Sequence, residues 1–192
     1  MNYSVIKRNL QIEITSISSL LNDITMEEHD AVFEIAVKEL LTSSDKEVKE
    51  RVKVFFNGFK SPVLYCFKVV GCEDCSILNH EFLRAKTHDK SRKYSKFNEV
   101  IKQNDTVLYV GSSKYENLTT RINNHLGVGA KRVYSMHVKA WLPKNAQYKI
   151  QIYVYKPDIP KHELAIFNVL EVIEQGFWNY YKPLFGKRSG LL

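Results

Sequence analysis

The chain has 192 residues, 44% of them hydrophobic and 12% aromatic, with a formal net charge of +7. That composition excludes a disordered chain and supplies one sizeable core, while the charge favours a polyanionic partner, either nucleic acid or an acidic membrane surface. No apolar run reaches membrane-spanning length, which excludes a helical membrane protein. The start, Met-Asn-Tyr-Ser-Val-Ile-Lys-Arg, lacks a signal-peptide layout, and the three cysteines, Cys66, Cys72 and Cys75, are an odd set. A cytoplasmic, reducing location is therefore expected.

Residues 1–60 read as a helical extension. Thr25-Met26-Glu27-Glu28 is a capping-box pattern, and Val32, Phe33, Ile35, Ala36, Leu40 and Leu41 follow it at helical spacing. Ser44-Asp45-Lys46-Glu47 opens a second helix with Val48, Val52, Phe55 and Phe56 on its apolar side, and Asn57-Gly58 closes it. The extension is either a support packed on the rest of the chain or a DNA-contacting or dimerising arm.

Residues 61–192 form the main unit. Pro62 to Val70 is a strand apolar on both sides, which predicts a central position. Residues 71–105 read as a basic insertion. It holds Arg84, Lys86, Lys90, Arg92, Lys93, Lys96 and Lys102, with Tyr94 and Phe97 between them. Basic residues interleaved with aromatics suit a phosphate backbone and exposed bases, and the alternative is a solvated charged loop. Cys72-x-x-Cys75 with His80 and His88 falls short of a four-ligand zinc set, so two thiols are expected there.

Val107 to Val110 is a second strand, Gly111-Ser112-Ser113 a turn, and Leu118, Ile122 and Leu126 mark a helix that Asn117 would cap. Arg121 and His125 share one face of that helix, a planar fork of donors beside a group that titrates near neutrality. Farther on, Val133, Met136, Val138, Trp141 and Leu142 would line a short helix ended by Pro143, with Lys131, Arg132, His137 and Lys139 keeping it basic. His137 is a candidate phosphate contact or a partly exposed residue without a role. Tyr148 to Tyr155 alternates as a third strand, stopped by Pro157 and Pro160.

The last helix spans about Lys161 to Tyr181, with Leu164, Phe167, Leu170, Phe177, Trp178 and Tyr181 as its apolar set. Glu174 lies inside that stripe, where a carboxylate is costly unless a cation compensates it, whereas Glu171 faces a more polar side. The alternative is a core-edge Glu paired with Lys or Arg.

Pro62-Val63-Leu64-Tyr65, Tyr109-Val110-Gly111, Arg121, Glu174 and Lys182-Pro183-Leu184-Phe185-Gly186 occur in the order of the motifs of the GIY-YIG nuclease family, which residues 61–192 resemble. His125, one turn after Arg121, resembles the arrangement in the family's type II restriction enzymes. Two positions depart from the pattern: Val63-Leu64 lacks the motif's Gly, and Gly186 stands where Asn is frequent. The resemblance implies an α+β domain (α/β in the broad sense), a three-stranded mainly antiparallel sheet flanked by helices. It implies an endonuclease that hydrolyses DNA phosphodiester bonds, of restriction or other genome-defence type, acting on double-stranded DNA and frequently as a homodimer.

The roles it implies are specific. Glu174 holds one Mg²⁺ or Mn²⁺ and no small-molecule cofactor is needed. Arg121 binds a phosphate oxygen, and Tyr65 accepts the proton of the attacking water, directly or through its hydrogen bonds. Tyr109 shares that role or orients the water, and His125 holds Tyr65 or the phosphate. A free tyrosine, with a pKa of about 10, is a poor base at neutral pH, so its surroundings would have to lower it. Lys93, Lys96, Lys114, Lys131, Arg132, Lys187 and Arg188 are the expected backbone-phosphate contacts, with solvated charges the alternative for Lys187 and Arg188. The missing Gly and Asn favour the alternative, a non-catalytic nucleic-acid-binding module on the same fold, which would show no metal-dependent cleavage.

Overall fold

In a computed structural model of the chain, the described residues are 31–59, 62–72, 76–98, 106–113, 118–159 and 163–188, with single positions between 8 and 19. Thr25–Glu28, Cys75, Lys102, Lys114, Asn117 and the side chains of Leu164 and Phe167 lie outside them.

Strand β2 (Val63–Val70) is buried along nearly its whole length, as a strand apolar on both sides requires. It sits between β3 (Thr106–Ser113) and β4 (Lys149–Tyr155), antiparallel to both. The central position read from Pro62–Val70 therefore holds.

The sheet has four antiparallel strands among the described residues, not the expected three, in the order β1-β4-β2-β3. The added strand, β1 (Ala31–Ala36), comes from the stretch expected to be helical. Phe33 and Ile35 alternate inward, and Glu34, between them, meets Lys149 and Gln151 of β4. Ala31–Ala36 satisfies both periods, and pairing with β4 selects the period of two. Only from Val37 does the apolar pattern belong to a helix, α1 (Val37–Thr42). Helix α2 (Asp45–Phe56) forms as expected, with the Ser44–Glu47 capping box closed in both directions.

The two sheet faces carry separate cores. The larger gathers Phe33, Ile35, Tyr65, Phe67, Ile150 and Ile152 under α1, α2, α3 (Ser76–His88) and α4 (Leu118–Leu126). The smaller gathers Leu64, Cys66, Val107, Val110 and Tyr155 under α5 (Glu163–Tyr181).

The insertion is therefore not simply a charged loop. Within it, α3 buries Leu78 and Phe82 in the larger core. Its two interleaved aromatics also turn inward. Tyr94 is buried with its hydroxyl donating to Asp89 (3.1 Å), and Phe97 packs near Phe82 and Phe185. They are not available to stack on bases. Cys66 and Cys72 are thiols.

The segment expected as a helix between Val133 and Leu142 holds only a 3₁₀ turn, Val138–Ala140. Met136, Val138, Trp141 and Leu142 are buried as expected, but Val133 is exposed. His137 enters the turn in the left-handed region at φ 52°, which breaks helical continuity. Its ring is buried, with Nε2 3.2 Å from the carbonyl of Lys93 and 3.1 Å from that of Val133. His137 is thus a loop brace, neither a phosphate contact nor partly exposed.

After α5 the chain runs along the outer edge of β3. Leu184 and Phe185 donate to the carbonyls of Val107 and Leu108, at 3.0 and 2.9 Å. On the other side Asn98 donates to Leu184 O and Gly186 to Lys96 O. This ending ties the insertion to β3 and covers a strand edge that would otherwise be open.

Candidate active site

Tyr65 on β2 stands opposite Gly111 on β3. Gly111 is required there. A Cβ at that position would lie 2.7 Å from Tyr65 Oη and 2.8 Å from a ring carbon of Tyr109, so both tyrosines close over the space a side chain would fill. Tyr109 pairs with Phe67, two residues along from the Tyr65–Gly111 pair, so it lies on the side of Tyr65, and the register shifts only beyond it, between Phe67 and Lys68. The two phenol rings lie nearly parallel, 6.2 Å apart.

Helix α4 supplies the next two groups. Leu118, Ile122 and Leu126 are buried against the sheet, as their spacing predicts. That seating aims Arg121 and His125 at the tyrosines. The His125 ring is 4.1 Å from that of Tyr109, and His125 Nε2 lies 3.5 Å from Tyr65 Oη. Met136 N–H donates to His125 Nδ1 (3.4 Å), which makes Nδ1 the acceptor and puts the ring proton on Nε2. The Arg121 guanidinium donates to Tyr65 Oη as well, while the residue keeps one side in solvent. Two donors therefore converge on one phenol oxygen.

Glu174 arrives from α5, on the opposite sheet face, at the C-terminal end of β3. Ser112 Oγ donates to Glu174 Oε2 at 2.5 Å, and the Ser112 backbone N–H adds a second bond. The carboxylate is close enough for its charge to act on Tyr65, Tyr109 and Arg121. The five residues proposed from separate motifs are thus brought to one end of the sheet.

Burial dominates their electrostatics. It raises the Glu174 carboxyl above the usual range, with Glu171 adding to the rise and Ser112 and Arg121 opposing it. Burial and then the Glu174 charge push Tyr109 up to about 12. Burial and then Tyr109 push Tyr65, which has no solvent exposure, well above the ordinary tyrosine value. Burial works against the Arg121 charge, but Tyr65, Tyr109 and Glu174 outweigh it. These surroundings raise both tyrosines instead of lowering them.

Comparisons with protein-family models, with curated proteins and with solved structures found no match to this chain.

His125 is held neutral, with its pKa lowered to about 3 by burial first and by Arg121 and His137 next. In the unfolded chain it protonates near its ordinary value of about 6.5. Between those values the unfolded state binds more protons, so stability is lost as pH falls below about 6.5. From pH 7 to pH 5 wild type should lose about 2 kcal/mol more than His125→Gln. Urea unfolding of both proteins at the two pH values measures the difference; His137, buried in both, cancels. Equal losses would mean that His125 is not held neutral.

Of the seven basic residues expected to contact phosphate, Lys93, Lys96, Lys131, Arg132, Lys187 and Arg188 are described, and all six are exposed. Backbone bonds draw Lys93 to Lys131 and Lys96 to Gly186. A cavity of about 510 Å³ opens at two of them, Lys96 and Lys187, and is lined also by Lys86, Tyr94, Ser95, Tyr134, Gly186 and Tyr109. Tyr109 thus belongs to the cluster and to the cavity wall.

Ser112, Tyr134 and Gly186 are not among the site residues expected from the sequence. Ser112 read as turn composition, and its bond to Glu174 spans 62 positions. Gly186 has φ 104°, and a Cβ there would come 2.8 Å from the Tyr109 ring, so the position expected to hold Asn instead lets that ring lie close. Gly111 and Gly186 carry a signal, through their places in the Tyr-Val-Gly and Lys-Pro-Leu-Phe-Gly motifs.

Proposed function

We infer that the chain is a divalent-metal-dependent endonuclease acting on DNA, on a GIY-YIG-like fold. The observation carrying this reading is the convergence of Tyr65, Tyr109, Arg121, His125 and Glu174 on one end of the sheet, beside a cavity rimmed with lysines. Phosphodiester hydrolysis asks for that inventory: proton transfer, charge on the phosphate and a place for a cation.

The donor set fits a hard divalent ion. Glu174 is a part-buried carboxylate with a raised pKa and a like-charged neighbour, so a cation there relieves an existing strain on the ionised form. Among the described residues no three His, Cys, Asp or Glu side chains gather as a metal cage. A single protein carboxylate, completed by water and phosphate oxygens, is the pattern of Mg²⁺. Once bound at Glu174, such an ion supplies Lewis-acid charge to the phosphate and the leaving oxygen.

The chain's own groups divide the remaining work. Arg121, anchored on Tyr65 and open to solvent on one side, takes a non-bridging phosphate oxygen. Tyr109, half-buried at the cavity wall, orients the attacking water. Tyr65 is fully buried, so its part in proton transfer runs through its hydrogen bonds, not direct contact with water. Arg121 and His125 both donate to its oxygen and stabilise negative charge there. His125 is a positioning residue that stays neutral throughout.

The test is cleavage of supercoiled plasmid with Mg²⁺, with EDTA, and by Tyr65→Phe and Tyr109→Phe. Cleavage should require Mg²⁺, and Tyr65→Phe should lose about 10²–10⁴-fold, the usual value of a positioned proton-transfer group, with Tyr109→Phe losing about 10²-fold through misplaced water. Discrete bands would support restriction-type or other genome-defence cleavage, and a smear would support an unspecific nuclease. Wild-type turnover in both variants would remove the tyrosines from the mechanism. The raised phenols favour one second reading, a binding module without chemistry; DNA shifted on a gel but uncut under any divalent metal would establish it.

A further inference from the structure

We propose that the lysine-rimmed cavity seats one unstacked nucleotide beside the reacting phosphate, so that the substrate carries an unpaired nucleotide at the cut instead of a continuous duplex. The proposal rests on the nuclease reading for its place in a reaction, but not for the binding itself.

Three observations carry it. The first is Tyr134, 73% exposed and yet firmly held. The next three residues, Ser135, Met136 and His137, are all buried, and Ser135 exchanges backbone hydrogen bonds with Lys93 and Ser95. Lys93 Nζ lies 5.5 Å from the Tyr134 ring centroid, which braces one side of the ring. An anchored aromatic projecting at the edge of a basic cavity is a ready stacking platform, because every base has a π-face.

The second observation is the charge. Lys96 and Lys187 are exposed on the cavity rim, brought together by the Gly186–Lys96 backbone bond of 2.9 Å. Lys86 is already committed, donating from Nζ to Ser95 O at 2.9 Å. Lys96 and Lys187, which have no ion-pair partner among the described residues, suit a phosphate and the braced tyrosine suits a base, so together they select a nucleotide over a bare anion.

The third is size and position. About 510 Å³ lies within the range of pockets for small organic ligands and has room for one nucleotide, not for a stacked duplex. Its wall includes Tyr109, so a nucleotide seated there is contiguous with the active-site cluster. Enzymes that work on a nucleotide out of its stack gain most when the nucleotide is already unpaired.

The test is fluorescence anisotropy of the full chain in EDTA, with a labelled oligothymidylate and with its duplex on oligoadenylate. Single strand should bind more tightly than duplex. Tyr134→Ala should weaken single-strand binding roughly 5- to 150-fold, the loss for one stacked base, and Tyr134→Phe should restore it. Lys96→Ala and Lys187→Ala should each reduce the salt slope by about 0.7. Wild-type affinity in Tyr134→Ala, or equal affinity for duplex and single strand, would overturn the proposal. EDTA separates this result from catalysis. A single strand and a gapped duplex both left uncut in Mg²⁺, together with Tyr134-dependent binding, remove the nuclease and keep the nucleotide seat. A cut plasmid with Tyr134-independent binding does the reverse.

Discussion

Glu174→Gln is expected to lower plasmid cleavage by about a thousandfold or more while leaving the protein at least as stable as wild type. The activity loss follows from removing the carboxylate proposed to hold the cation, whose charge on the phosphate would contribute several kcal/mol, each 1.4 of them being about tenfold in rate. The stability result runs the other way. Glutamine keeps an acceptor for the Ser112 hydroxyl, whose bond to Glu174 Oε2 is 2.5 Å. It also removes a part-buried charge that burial and Glu171 oppose. A gain of up to about 1 kcal/mol is expected, the sign of a residue kept for function at a cost in stability. Thermal melts in Mg²⁺ and in EDTA provide the link: Mg²⁺ should stabilise wild type and leave Glu174→Gln unchanged. Cleavage at the wild-type rate by Glu174→Gln would sink the metal-ligand assignment. A variant less stable than wild type would mark Glu174 as a structural partner of Ser112.

Gly111→Ala should damage the fold and the site together. The new methyl would come 2.7 Å from Tyr65 Oη, and Tyr65 is fully buried between Phe67, Tyr109 and His125, so it has nowhere to go. Overpacking of this kind costs about 1–3 kcal/mol. A displacement of about 1 Å in either phenol would cost cleavage a further factor of about 10². Gly58→Ala is the control, since a Cβ there meets nothing within 4 Å, and it should be neutral or slightly stabilising. Urea unfolding with the plasmid assay separates the two effects. If Gly111→Ala matched Gly58→Ala in both, the two tyrosines would not close over Gly111 as described.

The elements legible in the sequence were those whose stabilising partners are local. The Ser44–Glu47 box closes within one turn and marks the start of α2. Leu118, Ile122 and Leu126 repeat at helical spacing and are all buried. Pro62–Val70, apolar on both sides, lies in the middle of the sheet. Ala31–Ala36 is ambiguous in the sequence because its apolar residues fit a helix as well as a strand. What distinguishes the two is β4, more than a hundred positions away, where Lys149 and Gln151 bind Glu34. The segment through His137 failed for a related reason. Its apolar residues do face the core, but His137 adopts a left-handed conformation braced by the Lys93 and Val133 carbonyls.

The five candidate site residues were chosen by type and order along the chain, and those properties belong to the sequence. So does the excess of lysine and arginine. Their electrostatics belong to the tertiary structure. Burial raises Tyr109 and Glu174 and lowers His125, and burial depends on which surfaces meet. The same holds for Ser112 on Glu174, for Tyr134 standing out of its loop, and for the lysines that rim one cavity. Each of these depends on pairs far apart in the chain, joined only when the sheet forms, and no local period or propensity records such a pair.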